Sequence, residues 1–203
     1  MKPTFSILLI FLLVLTSNGY SQTTQEYYNR GNAKFELQDY RGAIEDYTKA
    51  IEINPKNIEA YCNRGNAKCM LQDFIGAIAD ITIAIEIDPK NATAYFNRGL
   101  TKSDLQDYRG AISDFTKAIE IDPNNLSAYH SRAVSKSDLK DYKGAISDYT
   151  KLIAIDPKNA VAYFNRGISK LLFDQKENGC LDLSKSGELG YSYAYEAIKK
   201  YCR

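Results

Sequence analysis

Tryptophan is absent from this 203-residue sequence, histidine occurs once, and proline is confined to five positions. Each scarcity removes a class of explanation. Without tryptophan, the largest sugar-stacking side chain is missing, and a carbohydrate site would have to rest on tyrosine and phenylalanine alone. The single histidine, His130, is the one imidazole base on offer, and nothing in the sequence brings serine and aspartate partners to it; Ser131, Ser135 and Ser137 read as helix-surface residues beside it. No glycine-rich phosphate loop, metal-ligand cluster or carboxylate pair interrupts the chain, so no cofactor, no metal and no catalytic residue is expected. An excess of one charge is missing too: 26 Lys and Arg are interspersed with 25 Asp and Glu. Phosphate backbones and anionic membranes are met by a basic patch or stripe, so nucleic acid is not an expected partner.

One long hydrophobic run exists, at the N-terminus. Lys2 precedes Phe5 to Leu15, which is almost unbroken Ile, Leu, Val and Phe, and a polar small-residue stretch from Thr16 to Ser21 follows. That order is the pattern of a secretory signal peptide, expected over residues 1–21 with cleavage after Ser21 or Gly19. The run falls well below the roughly 20 residues that span a bilayer. No cysteine follows it, which argues against a lipid-modified N-terminus. The expected product is a secreted or periplasmic chain, without membrane insertion after cleavage. Removing Lys2 takes the basic count from 26 to 25 and leaves the remainder formally neutral.

Beyond the leader, Gly31, Gly65, Gly99 and Gly167 and Pro55, Pro89, Pro123 and Pro157 recur every 34 residues, with Ala133 in the one glycine gap. A fixed period defines an architecture of stacked units. The units run over 24–57, 58–91, 92–125 and 126–159, followed by a degenerate fifth over 160–190. Within a unit apolar residues fall at helical spacing twice, as at Tyr95, Gly99 and Leu105 and then Ala111, Ile112, Phe115, Ala118 and Ile119. Each unit is therefore expected to be a helical hairpin. Proline stands where the second helix must stop, Asp39 to Gly42 and its copies stand between the helices, and Gly99 and Ala111 let facing backbones approach. Lys176, Gly179 and the loss of a proline mark the end of the array. A turn over Gly187 to Gly190 and an amphipathic segment with Tyr191, Ala194, Tyr195, Ile198 and Tyr201 read as a capping helix over 191–203.

An aromatic, glycine, alanine, second aromatic and proline at fixed offsets, as in Tyr27, Gly31, Ala43, Tyr47 and Pro55, resemble the tetratricopeptide repeat. The resemblance implies an all-α fold, a right-handed α-solenoid of helical hairpins. Two departures recur. Arg30, Arg64, Arg98, Arg132 and Arg166 replace the usual Leu before glycine, and Lys34, Lys68, Lys102, Lys136 and Lys170 replace the usual Tyr three residues after it. Because Asp46, Asp80, Asp114, Asp148 and Asp182 recur on the second helices, a repeated ion pair is expected, of small individual value if exposed. Its use would be register, since a slipped pairing sets like charges together.

Cys62 and Cys69, seven residues apart on one helix, would have backbones ~10 Å apart, beyond the roughly 7 Å a disulfide tolerates. Cys180 on the last second helix and Cys202 near the end of the capping helix can meet as a disulfide; buried thiols and a metal site are the other readings.

The resemblance also implies a ligand surface on the first helices. It carries over to Tyr28, Cys62, Phe96, His130 and Phe164 as one row, and to Asn29, Asn63, Asn97, Ser131 and Asn165 beside it, with Asn32 and Asn66 one residue after glycine. Its charges would be Glu36, Glu59, Asp104 and Asp138, so the expected groove is apolar to acidic. Asn side chains both donate and accept, so they either grip an extended peptide backbone or tie neighbouring repeats together. The clamp by which family members hold the acidic tails of cytosolic heat-shock chaperones lacks its cations here: Tyr28, Thr93 and Asn97 stand in their places. A non-enzymatic scaffold for a peptide or protein partner is the leading expectation. The alternatives are a structural or assembly subunit of an envelope or secreted complex, and a carbohydrate- or small-ligand-binding protein.

Overall fold

The structure, a computed structural model, describes residues 23–202; the expected signal peptide over 1–21 lies outside them. All the described secondary structure is helical. After α1 (23–36) come α2 (Tyr40–Ile53), α3 (Ile58–Met70), α4 (Phe74–Ile87), α5 (Ala92–Asp104) and α6 (Tyr108–Ile121). The chain continues with α7 (Leu126–Asp138), α8 (Tyr142–Ile155), α9 (Ala160–Leu172), α10 (Lys176–Glu188) and α11 (Tyr193–Tyr201). The residues form two compact units, one ending at Lys90 and containing α1 to α4, the other running from Asn91 through α5 to α11. Within each unit a first helix packs on its own second helix and that second helix packs on the next repeat, as in the succession α5, α6, α7, α8.

Side chains fix the helix starts. Asp39, Asp73, Asp107 and Asp141 each accept a hydrogen bond from the backbone N–H of Gly42, Gly76, Gly110 and Gly144, the N-cap arrangement that satisfies an orphan donor. Asn57, Asn91, Asn125 and Asn159 do the same for the first helices. The Asp-Tyr-Arg-Gly segment therefore opens each second helix and is not the linker that the sequence suggested. The linker is the preceding pair, Leu37-Gln38 and its copies. Gln38, Gln72, Gln106, Lys140 and Asp174 all sit at φ between 56° and 63°, a left-handed conformation that costs a side-chain-bearing residue on the order of 1 kcal/mol. No glycine marks this position, so the turn could not be read locally.

At Gly31 and Gly99 the close approach is made to an aromatic ring, whereas at Gly65 and Gly167 it is made to the aliphatic side chains of Ile81 and Leu183 and to the backbone carbonyls of Ala77 and Gly179. A Cβ on Gly99 would stand 2.7 Å from the Phe115 ring, and one on Gly31 2.6 Å from Tyr47. Tyr47, Phe115 and Tyr149 are the large buried side chains of their hairpins, flanked by fully buried Ala43, Ala111 and Ala145. Small residues on one helix thus make the socket for an aromatic from the other.

Every aspartate of the repeated ion pair is buried, so the small value expected of an exposed pair does not apply. Asp46, Asp80, Asp114, Asp148 and Asp182 side chains are 2–9% exposed. Arg98 Nε and Nη2 donate to the two carboxylate oxygens of Asp114 at 2.9 and 2.7 Å, and Lys102 Nζ adds a contact at 2.7 Å. The same fork recurs with Arg30, Arg64, Arg132 and Arg166, and each guanidinium also lies over the tyrosine three residues earlier, Arg132 at 5.6 Å from the Tyr129 ring. A third bond crosses between repeats: Arg64 Nη1 donates to Thr48 Oγ1 at 3.0 Å, Arg132 to Thr116 at 3.0 Å and Arg166 to Thr150 at 3.2 Å. The Arg30 fork holds the Asp46 carboxyl down at about 2, against the opposing effect of burial. That stabilisation is complete above the ordinary value of 3.8 and is lost as pH falls from there through about 2. Removing one member of a buried pair strands the others. Asp114→Ala is expected to lower stability by about 3 kcal/mol in urea unfolding, while Glu120→Ala, which breaks the exposed Lys117–Glu120 pair, should change it by less than about 0.5 kcal/mol.

At the C-terminal end α10 runs through Gly187 to Glu188, so the turn lies two residues later than expected and is made by Leu189 to Ser192, with Gly190 at φ 95°, and the capping helix starts at Tyr193. Ala194 and Ala197 of α11 are buried against α10, and Tyr195 donates its hydroxyl proton to the Gly187 carbonyl at 3.1 Å. Cys180 and Cys202 form a disulfide with Cα atoms 5.8 Å apart, while Cys62 and Cys69 are unbridged. The bond closes a 22-residue separation, and its removal by the paired change Cys180→Ser and Cys202→Ser should cost about 3 kcal/mol on the loop-entropy scale. Hydrogen exchange of the double variant is expected to show protection lost first in α11; unchanged protection there would mean that packing alone holds the helix.

Candidate functional site

The residues singled out on the first helices fall into separate settings, each within one unit. In the N-terminal unit α1 and α3 bring together Tyr28, Asn32, Asn63 and Asn66. Asn63 Nδ2 donates to the Tyr28 hydroxyl at 3.1 Å and to Asn32 Oδ1 at 3.0 Å, and the Tyr47 hydroxyl donates to the same Asn32 oxygen at 2.8 Å. Part of the asparagine set therefore ties repeat to repeat. Beside this network lies a cavity of about 270 Å³ lined by Asn32, Phe35, Glu36, Tyr47, Asn63 and Asn66. Burial, reinforced by the neighbouring Tyr28 and Glu36, pushes the Tyr47 hydroxyl up to about 12, so it stays a neutral donor. Asn29 is exposed and accepts from Gln25 at 2.7 Å, away from that network. Cys62, half-buried, has its thiol pushed up to about 11, first by burial and then by Glu59, which leaves it protonated and unreactive at neutral pH.

In the C-terminal unit the aromatic row rests on the core. Phe96 stacks on Phe115 at 5.7 Å between ring centroids, and His130 stands edge-on to Tyr149 at 5.8 Å. Phe164 instead meets Tyr191 at 5.0 Å. Phe96 and His130 share a cavity of about 430 Å³ with Leu126, Leu152 and Val161. A wider cavity of about 700 Å³ joins Phe164 and Ile168 to Tyr193, Glu196, Lys199, Lys200 and Tyr201 of α11. The two lysines bring positive charge to a first-helix surface that sequence reading made wholly apolar to acidic. They were missed because the family register assigns no position to a terminal capping helix. Asn97 and Asn165 are half-buried on α5 and α9; Asp104 and Asp138 are exposed at the ends of α5 and α7. Burial, with the charges of Asp138 and Asp148, raises the Tyr149 hydroxyl above its usual range.

Ser135 is not the surface residue that helical periodicity suggested. It is 2% exposed, donates to the Ser131 carbonyl at 3.0 Å and lies 3.1 Å from the Ser103 hydroxyl. Packing of α7 against α5 buries it. Neither it nor Ser131 is hydrogen-bonded to His130. Among the described residues no group of three His, Cys, Asp or Glu could hold a metal ion, and no helix is long and apolar enough to cross a membrane.

Models of the tetratricopeptide-repeat family match residues 27–72, 92–125 and 126–159, together more than half of the chain. The chain belongs to the tetratricopeptide-repeat family, and its fold is the all-α solenoid of that class. Among solved structures, the crystal structure of MamA matches with a TM-score of 0.77 and 24% identity over 89% of this chain and 96% of that one. YrrB, described as a TPR protein with an unusual peptide-binding site, matches with a TM-score of 0.75 and 20% identity over 89% of this chain and 97% of its own. The first TPR of Spaghetti (RPAP3), bound to the HSP90 peptide SRMEEVD, matches at 0.58 and 29% identity over 59% of this chain and 95% of its own. No curated protein matches the chain.

Burial lowers the His130 pKa from its ordinary 6.5. A base whose folded pKa is depressed is favoured neutral, so its contribution to stability is present above about 6.5 and is lost as pH falls below it, where the unfolded chain takes up the proton first. His130→Phe, which installs the residue found at the equivalent place in two other repeats, is expected to flatten the stability profile between pH 7 and pH 5 in thermal denaturation while leaving the value at pH 7.5 near that of the wild type.

Proposed function

We propose that this protein is a non-enzymatic scaffold that binds an extended peptide or protein segment on the first-helix faces of its repeats. The observation that carries the reading is the pair of cavities lined by Asn32, Asn63 and Glu36 in one unit and by Phe96, His130 and Val161 in the other. Apolar walls with a few polar groups are what a side-chain-by-side-chain peptide site requires. Peptide binding stated for YrrB and for the RPAP3 repeat supports the same use. The partner differs from the acidic chaperone tail: Tyr28, Thr93 and Asn97 are neutral where a carboxylate clamp needs cations, and Glu36 adds a negative charge. The leader pattern over residues 1–21 supports export, and so a secreted or periplasmic partner.

A second reading, an assembly subunit of an envelope or secreted complex, has its own support. Leu37, Leu71, Leu105 and Leu139 stand 41–80% exposed, one at each of the first four hairpin turns, and would supply edge contacts away from the first-helix face. The two readings separate by mutation. With the partner captured from the native exported fraction and titrated by calorimetry, Phe96→Ala should weaken binding by about 1 to 3 kcal/mol and Asn97→Ala by less, while Lys117→Ala on α6 should leave affinity unchanged. Unaltered affinity in both first-helix variants, with loss in Leu105→Ser, would assign the contact to the turn edges.

A further inference from the structure

The cavity between α1 and α3 has an uneven supply of hydrogen-bonding groups. Both amide protons of Asn63 are spent within the protein, on the Tyr28 hydroxyl and on Asn32 Oδ1, and the Tyr47 proton is spent on the same Asn32 oxygen. What these residues retain for a ligand is chiefly accepting capacity: the Asn63 carbonyl oxygen, the second lone pair of the Tyr47 hydroxyl, and the full Glu36 carboxylate. Among the members of these three bonds, Asn32 Nδ2 and the Tyr28 hydroxyl, which accepts from Asn63 and keeps its own proton, remain able to donate. No Lys or Arg lines the cavity, so Glu36 is its only formal charge. Its volume of about 270 Å³ accommodates one long side chain.

We infer that this cavity is a subsite for a lysine or arginine side chain of the bound segment. The aliphatic stem lies along the Phe35 ring, where long cationic side chains bury their methylenes, and the cationic head meets Glu36 and the Asn63 oxygen. Asn32 Nδ2 is then placed to donate to a carbonyl of the same segment. The inference rests on the scaffold reading and narrows its partner to one with a basic residue at this point.

The test uses the full chain and three acetylated, amidated peptides of serine and alanine that differ only in a central Lys, norleucine or Glu. Fluorescence anisotropy is expected to show the Lys peptide binding at least fivefold more tightly than the norleucine peptide, with the Glu peptide weakest. Glu36→Gln should erase that ratio and Glu36→Lys should invert it in favour of the Glu peptide; Glu36 is exposed, so neither change disturbs the core. Glu59→Gln, outside the cavity, should leave the ratio as it is. Equal binding of Lys and norleucine peptides, or an equal loss in Glu36→Gln and Glu59→Gln, overturns the inference, the latter by reducing it to a diffuse negative field. Absence of binding by all three at millimolar concentration also overturns it, and the scaffold reading is then judged separately by the captured partner and Phe96→Ala.

Discussion

A carboxylate placed out of reach of water sets the terms for each repeat. Asp46, Asp80, Asp114, Asp148 and Asp182 could not remain ionised in the interior of a hairpin without close cationic partners, and each has an arginine and a lysine from the facing helix. The arginine must lie flat to reach both oxygens, which places it over a tyrosine one turn earlier, and the lysine must come from the next turn. Two helices are thereby locked in rotation and in translation at once. Hydrophobic packing of small residues around one large aromatic or aliphatic side chain per hairpin would tolerate small slides. A bidentate pair does not.

This arrangement also confines where a ligand can be recognised. Ten cations are committed to pairing with the buried aspartates of the repeats, although Arg30 keeps part of its surface exposed. The first-helix surface is left to asparagines, aromatics and acids, and its polarity in the N-terminal unit follows from that withdrawal. At the other end α11 lies beyond the last pair, and its Lys199 and Lys200 remain at the surface of the α9–α11 cavity. The two ends of the protein therefore offer different chemistry although they are built from one repeated plan.

Much of this was legible in the sequence. The 34-residue spacing of glycine and proline, the apolar rhythm and the matched Arg, Lys and Asp positions were enough for the hairpins and the ion pairs, because each depends on residues at fixed offsets along regular helices; the Cys180–Cys202 linkage was one of three readings that the sequence left open. What escaped depends on depth and on the path of the backbone. The burial of the aspartates and of Ser135 is decided by how closely neighbouring helices approach. The left-handed Gln38, Gln72, Gln106, Lys140 and Asp174 have no compositional mark, since the helix on either side imposes the conformation. The internal use of Asn63 could not be told from ligand use, because the same amide serves both.

The bonds from Arg64 to Thr48, Arg132 to Thr116 and Arg166 to Thr150 all point toward the chain's beginning. Each arginine borrows an acceptor from the repeat made before it, never from the one made after. A hairpin emerging from the ribosome thus finds its neighbour's contribution already in place, and the chain gains its links in the order of synthesis. Shortening from the two ends is correspondingly unequal: loss of the last hairpin leaves earlier forks whole, whereas loss of the first takes Thr48 from Arg64.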